Sequence, residues 1–358
     1  MPACRQAGEE RAASDAAILT STHSKSQIDP RIIDRLIVRA LLGNKEPLSG
    51  AKLSAELGLS RTAIWKRVLG LKEAGFDICS HKGQGYELRQ TPKHLTSEEI
   101  EFYLLSDFYR NKVHVYKELD STNRLMLEWA QSNYPEGSVI FAEKQLAGKG
   151  RRGRVWESPA DQGLYFSILL RPNLSPNQLS LLTLTASIAV VEALRQETHL
   201  NAQIKWPNDI WINEKKCAGI LTEMISDSDS MNSIIIGIGL NVNTSEKDLP
   251  KSATSLNIEA KRNWNRSKIA ASVLNQFELL YNELSKKGWS SLKKKWLKYA
   301  FMMHTQVSVK STKTTLHGIA KDIDAEGALI IQDKNNQLHR VLSGDVSLTV
   351  PQSSRSIS

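Results

Sequence analysis

Seven residues, GKGRRGR (148–154), place four cations, Lys149, Arg151, Arg152 and Arg154, among three glycines. A solvated charge run works on any backbone, so the glycines need a second reason. Without side chains, backbone N–H groups can wrap an anion, and arginine offers a planar fork matched to phosphate oxygens. Three other segments carry polar groups suited to the same kind of chemistry. DSTN (120–123) supplies hydroxyls and an amide that either cap a helix or hold the polar head of a ligand. KWPNDIWINEKKCAGIL (205–221) gathers Lys205, Asn208, Asp209 and Lys216 around a proline turn and a charged hairpin. IIIGIGLNVN (234–243) is an apolar strand in which Gly237 and Gly239 permit close approach, and it ends in Asn241 and Asn243. Each segment also has a plain structural reading: a helix cap, a solvated basic loop, a decorated hairpin with Trp206 and Trp211 in the core.

The chemistry open to these groups is narrow. The basic loop is neither a P-loop, since no GK[ST] follows, nor a G-x-G-x-x-G dinucleotide turn. No G-x-S-x-G, H-E-x-x-H or Cys/His signature is present, so nucleophilic and zinc hydrolases fare poorly. Charge stabilisation and orientation remain. They suit adenylate formation, in which a carboxylate attacks the α-phosphate of ATP while Lys, Arg and Mg²⁺ spread the developing charge.

Composition sets the frame. The chain has 358 residues, enough for two or three domains, with 41% hydrophobic and 24% charged residues. A net charge of +9 favours polyanionic partners. The three cysteines, Cys4, Cys79 and Cys217, are far apart with no metal-type spacing, so reduced thiols in a cytoplasm are expected and no metal-ligating cluster is assigned. The apolar run 179–194 carries Thr183, Thr185, Ser187 and Glu192 and reads as a buried core helix rather than a membrane span. Residues 1–27 lack the apolar run of a signal peptide and read as a disordered tail.

The elements that must position these residues follow from periodicity. Apolar residues at 32, 33, 36, 37, 40 and 41 predict a helix. Ser49 caps a second helix that Gly58 ends, and Ser60 caps a third with the stripe Ile64, Val68 and Leu71. Two short helices joined by a glycine, followed by a hairpin with the basic tip KGQG (82–85), form a winged helix-turn-helix over 28–90. Ser49, Gly50, Ser60, Arg61, Thr62, Trp65, Lys66, Arg67 and Lys82 are its candidate DNA contacts. A linker and a capping box, Thr96 with Glu99, open a central α/β domain over 95–303. Its expected helices are 97–106, 121–132, 176–198 and 266–286; its expected strands are 138–143, 163–171, 203–206, 218–225 and 232–242. Short alternating strands over 304–350 suggest a small all-β barrel. The chain is therefore expected to be a multidomain α+β protein.

Taken in order, DSTN, QLAGKGRRGRVW, KWPND with KCAGILTE, and GIGLNVN resemble one family, the biotin–protein ligases. With the winged helix, the resemblance is to the bifunctional type that also represses the biotin operon, and it covers about residues 30–350. The resemblance implies a ligase domain related to class II synthetases and an SH3-like C-terminal barrel. It also implies the reaction. Biotin and ATP give biotinyl-5′-AMP, and a lysine of the biotin carboxyl carrier protein of acetyl-CoA carboxylase then takes the biotin. On that basis Ser121, Thr122, Asn123 and Gln145 hold the ring end of biotin. Lys149, Gly150 and Arg151 close over biotin and the phosphate. Lys216 meets the biotin carboxylate, and Arg151 and Asp209 assist catalysis, Asp209 by holding Mg²⁺ or orienting Lys216. Arg154, Trp156, Lys205, Asn208 and Asn241 lie by the nucleotide. The resemblance further implies an adenylate-dependent homodimer formed through the central sheet, with an inverted-repeat operator, and no membrane partner. A lipoate-type ligase and a ligand-sensing transcription factor without ligase activity are the alternatives. Lys149 replaces the usual arginine, and Cys217 replaces an aliphatic residue, which raises the question of oxidation beside Lys216.

Overall fold

The computed structural model describes residues 30–44, 46–173, 175, 178–225, 233–310 and 315–348. The tail expected over 1–27 lies outside them. The chain divides into two compact units, Met1–Val115 and Tyr116–Ser358. The first unit thus continues past the expected boundary at 90–95, because a helix at Ser97–Tyr103 belongs to it.

In the first unit, helices α1 (Pro30–Leu42), α2 (Gly50–Leu57) and α3 (Arg61–Glu73) precede the antiparallel hairpin β1 (Asp77–His81) and β2 (Gly85–Gln90). The Ser49 hydroxyl accepts from Lys52 N, and the Ser60 hydroxyl from Ala63 N. Gly58 takes the left-handed conformation that ends α2. Ile37, Leu53, Ile64, Val68 and Phe76 form the core of this unit. Gly85 is required sterically: a Cβ there would stand 1.9 Å from the Leu48 carbonyl oxygen, which pairs the hairpin to Leu48. Helix α4 (Ser97–Tyr103) starts at Thr96, whose hydroxyl accepts from Glu99 N, and stops three residues short of the expected 106 because Leu104 is extended.

The second unit is built on a seven-stranded sheet in the order β3-β4-β5-β9-β8-β7-β6. These strands are β3 (Val113–Leu119), β4 (Val139–Gln145), β5 (Leu164–Leu170), β6 (Gln203–Lys205), β7 (Asp209–Ile212), β8 (Lys215–Ile225) and β9 (Ser233–Leu240). β5 is buried at every position and β9 at nearly every one, which explains their largely apolar sequences. Helix α5 (Thr122–Gln131) sets Met126 and Ala130 against Ile140, Leu169 and Ile235. Helices α6 (Leu179–Thr198) and α8 (Arg266–Lys287) pack on each other. Among the described residues α6 alone is long and apolar enough to cross a membrane, and 67% of its apolar window is buried within the fold, as a core helix requires.

Sequence periodicity missed β3, the short helix α7 (Leu256–Ala260) and helix α9 (Trp289–Tyr299). Five antiparallel strands, β10 (Gln306–Lys310), β11 (Thr315–Ile323), β12 (Leu329–Gln332), β13 (Leu338–Val341) and β14 (Asp345–Leu348), form a second sheet in the order β13-β12-β11-β10-β14. It is fastened to the end of β6 through Trp206 Nε1, which donates to the Gly327 carbonyl at 3.1 Å, and to helix α9 through the ion pair Lys293–Asp322 at 2.7 Å.

Candidate functional site

The glycines of β8 and β9 form the floor of a cavity because larger groups rest directly on them. A Cβ on Gly237 would lie 2.1 Å from Asn123 Oδ1, and one on Gly239 would lie 2.4 Å from the Trp156 indole. The close approach expected at these two positions is therefore made by two named side chains. The basic segment 148–156 is itself a small hairpin. Trp156 N donates to Gly148 O at 2.9 Å and Gly150 N to Arg154 O at 2.7 Å, with Arg152 and Gly153 at positive φ forming its tip. Gly148 is buried where a Cβ would stand 2.5 Å from the Trp156 carbonyl oxygen.

One end of the cavity is closed and polar. Ser121 starts α5 without capping it through its side chain, so the simple capping reading of DSTN fails. Ser121, Thr122 and Asn123 are almost fully buried. Gln145 Oε1 accepts from Thr122 N at 2.9 Å, and its Nε2 donates to Ser158 Oγ at 3.0 Å. Ser167, wholly buried on β5, donates toward Thr122 Oγ1 at 2.8 Å and Asn123 Oδ1 at 2.6 Å. Asn123 Nδ2 donates to Glu223 at 2.6 Å.

The other end is cationic. Lys216 Nζ lies 2.7 Å from Asp209 Oδ1 and 5.3 Å from the centre of the Trp156 ring. β7 and β8 bring that pair together through the turn at Asn213 and Glu214, both at positive φ. Arg151 donates to Asn208 Oδ1 at 3.0 Å, and Asn208 Nδ2 donates to the Ile220 carbonyl at 2.9 Å, which fixes the amide. Burial, then the charge of Arg152, lowers the Arg151 pKa below the usual guanidinium range, so an anion that neutralises it would relieve an unfavourable charge. Arg152 and Arg154 both pair with Asp345, delivered from β14.

Twelve of the residues singled out from sequence line this one cavity: Ser121, Thr122, Asn123, Gln145, Lys149, Gly150, Arg151, Arg154, Trp156, Asn208, Asp209 and Lys216. Two residues expected by the nucleotide are not among those lining the cavity, although Lys205 stands close enough to feel the charges of Asp209 and Lys216. Lys205 sits 3.9 Å over the Trp211 ring, half-buried, its pKa lowered by burial. Asn241 is 3% exposed and spends its amide on the Thr254 carbonyl, bracing the end of β9. Cys217 is fully buried, and burial pushes its thiol pKa far up, which answers the question of oxidation beside Lys216 in the negative. Sequence reasoning missed Asp345, Ser167 and Ser158, which have no local signature, and gave no role to Glu223, the last residue of KCAGILTE.

In the first unit, Arg61, Thr62, Trp65 and Lys66 are exposed along α3, and Lys82 is exposed at the hairpin turn. Ser49, Gly50 and Ser60 open their helices. Arg67 departs from the expectation of a DNA contact: it turns inward and grips Asp34, its Nε donating to Oδ1 at 2.7 Å, and so ties α3 to α1.

Comparison with known proteins agrees with this geometry. Residues 115–241 match the model of the biotin/lipoate A/B protein ligase family, residues 34–87 an HTH domain, and residues 306–349 the biotin protein ligase C-terminal domain. The bifunctional ligase/repressor BirA of Bacillus subtilis (strain 168) is 37% identical over 307 residues, 85% of this chain and 94% of that protein. The BirA of Escherichia coli (strain K12) is 30% identical over 311 residues, 86% of this chain and 95% of that protein. A solved biotin protein ligase from Aquifex aeolicus in complex with biotin and ATP superposes with a TM-score of 0.59 at 31% identity, covering 67% of this chain and 99% of that one. The chain belongs to the biotin protein ligase family, of the bifunctional ligase/repressor type.

Proposed function

We propose that this protein joins biotin to a lysine of the biotin carboxyl carrier protein of acetyl-CoA carboxylase at the expense of ATP. We further propose that its winged helix-turn-helix represses the biotin operon, with biotinyl-5′-AMP as corepressor. The observation that carries the ligase reading is the convergence of Lys216, Asp209 and Arg151 on a cavity whose far end is a closed polar network. The ring end of biotin enters among Ser121, Thr122, Asn123 and Gln145. Its carboxylate then reaches Lys216, where the ammonium offsets its charge and orients it. A carboxylate oxygen attacks the α-phosphorus of ATP, the bond from that phosphorus to the bridging oxygen breaks, and pyrophosphate leaves. Arg151 and Arg154 face the phosphates, and Trp156 and Asn208 the adenylate.

The neutral amine of the carrier lysine next attacks the acyl carbon. An amide forms, AMP leaves with the bridging oxygen, and the amine loses a proton. The 148–156 hairpin covers the mixed anhydride meanwhile and keeps water from hydrolysing it. Lys149 contributes a point charge where an arginine would make two bonds, so it holds the adenylate less tightly.

Asp209 is the carboxylate that would help hold Mg²⁺ together with substrate phosphate oxygens, as a single carboxylate usually does, and because its Oδ1 already meets the Lys216 ammonium at 2.7 Å, most of the metal's oxygens would come from ATP and water. Bound there with ATP, it would supply charge neutralisation at the leaving pyrophosphate.

The central sheet is read as related to class II synthetases and the five-stranded C-terminal sheet as an SH3-like barrel. The adenylate-bound protein is read as a homodimer on an inverted-repeat operator, in the cytoplasm. Biotin-dependent ATP–pyrophosphate exchange, with lipoate as control, tests the ligase reading. Exchange with biotin alone is expected, and exchange with lipoate alone would move the protein to the lipoate ligases. Exchange with neither acid would leave a ligand-sensing regulator.

A further inference from the structure

We propose that Glu223, a residue of β8 outside the cavity lining, sets the specificity of the closed end by fixing which way the Asn123 amide faces. The proposal rests on reading that end as the site for the biotin ring. An asparagine presents an oxygen and an NH₂ of nearly equal size, so a site that reads a urea by its side chain must fix which is which. Asn123 is 5% exposed and gripped on both sides. Its Nδ2 donates to Glu223 Oε2 at 2.6 Å. A carboxylate only accepts, so the NH₂ must be the group that faces it. Its Oδ1 accepts from Ser167 Oγ at 2.6 Å, and Gly237 leaves that oxygen its room, since a Cβ there would be 2.1 Å away.

Counting protons shows how far the effect extends. Ser167 has one proton and two candidate acceptors, Asn123 Oδ1 at 2.6 Å and Thr122 Oγ1 at 2.8 Å. With the amide oxygen fixed toward Ser167, that proton goes to Asn123. The Thr122 hydroxyl then keeps its own proton for Ser167 or for Gln145 Oε1, which lies at 3.2 Å. Gln145 is oriented independently by its Nε2, which donates to Ser158. The charge on Glu223 and the Gln145 amide thus order the chain from its two ends. Asn123 is left with one N–H and one lone pair for the cavity. A donor beside an acceptor is the complement of the N–H and C=O of a cyclic urea. The flipped amide would set donor against donor. Glu223 touches none of the reacting atoms; it is a positioning residue.

The test is Glu223→Gln in the full-length protein, read by pyrophosphate exchange with biotin and with 2-iminobiotin, in which the acceptor oxygen of the urea becomes a nitrogen that donates. Loss of a charge-assisted hydrogen bond that fixes the amide should raise the KM for biotin on the order of tenfold, with kcat and the KM for ATP changed by less than about twofold. The preference for biotin over 2-iminobiotin in kcat/KM should narrow by a similar factor. Glu223→Asp, which keeps an acceptor-only partner, should restore most of that preference. An unchanged preference in Glu223→Gln, an equal loss toward both acids, or a Glu223→Asp no better than Glu223→Gln would overturn the proposal alone. Absence of biotin-dependent exchange in the unaltered protein would overturn the pocket reading and this proposal with it.

Discussion

Asn123, Thr122 and Ser167 at the closed end of the cavity are 5% exposed or less, and each touches another polar side chain within 3.2 Å. At the open end Arg152 and Arg154 reach out to a single carboxylate, Asp345, 191 residues further along the chain from Arg154. The two arrangements are suited to different tasks. A buried network with every member partnered holds one geometry, because breaking any bond strands a polar group away from water. It suits recognition of a neutral, rigid ring. Exposed ion pairs contribute only roughly 0–1 kcal/mol each and exchange readily for other anions. They suit a loop that must trade a carboxylate for phosphates and release them again.

The largest expected effect falls at the junction of the two ends. Lys216→Ala should lower kcat for pyrophosphate exchange by roughly 10²–10³, the usual cost of one charge-stabilising group, and full activity would remove Lys216 from the reaction. Next, Gly237→Ala should raise the KM for biotin by at least about tenfold, because the added methyl meets Asn123 in a network that cannot yield. Gly153→Ala, at the open end with free space around it, should cost no more than the roughly 1–2 kcal/mol of left-handed strain at its φ of +74°. Equal losses at the two glycines would break the comparison. Raising salt from low to physiological strength and beyond should weaken ATP several-fold and biotin by less than about twofold, as screening predicts for exposed charges; parallel salt curves for the two substrates would contradict it. The smallest effect belongs to Asp345→Asn. Trypsin should cut at Arg151, Arg152 or Arg154 a few-fold faster in the empty variant than in the parent, and biotin with ATP should erase the difference.

The legible parts were those whose cause is local. The stripe Ile64, Val68 and Leu71, the caps Ser49, Ser60 and Thr96, and the apolar runs of β5 and β9 each follow from spacing within a dozen residues. The polar groups of DSTN and GKGRRGR converge as their types suggested. What escaped was decided by distance or by competition. Asp345 has no local mark, since its meaning depends on arginines far away in sequence. Arg67 looked like its exposed neighbours and differs only because Asp34 is within reach. Asn241 ends a glycine-rich strand as a ligand contact would, yet the Thr254 carbonyl claims its amide. Helix α9 hid its buried Trp289, Leu292 and Trp296 behind a run of lysines.

Trp156 also makes the site observable. Its indole rests on Gly219 and Gly239, its Nε1 is buried without a hydrogen-bond partner, and the Lys216 ammonium stands 5.3 Å from its ring. A charge that close to an indole shifts and quenches its emission. A ligand that draws Lys216 away changes the emission in proportion to occupancy. Seven other tryptophans emit as well, so a Trp156→Phe variant isolates the signal that comes from the cavity. The unmodified chain therefore carries an indole reporter in the wall of the cavity, so its filling and emptying can be timed by rapid mixing without any dye.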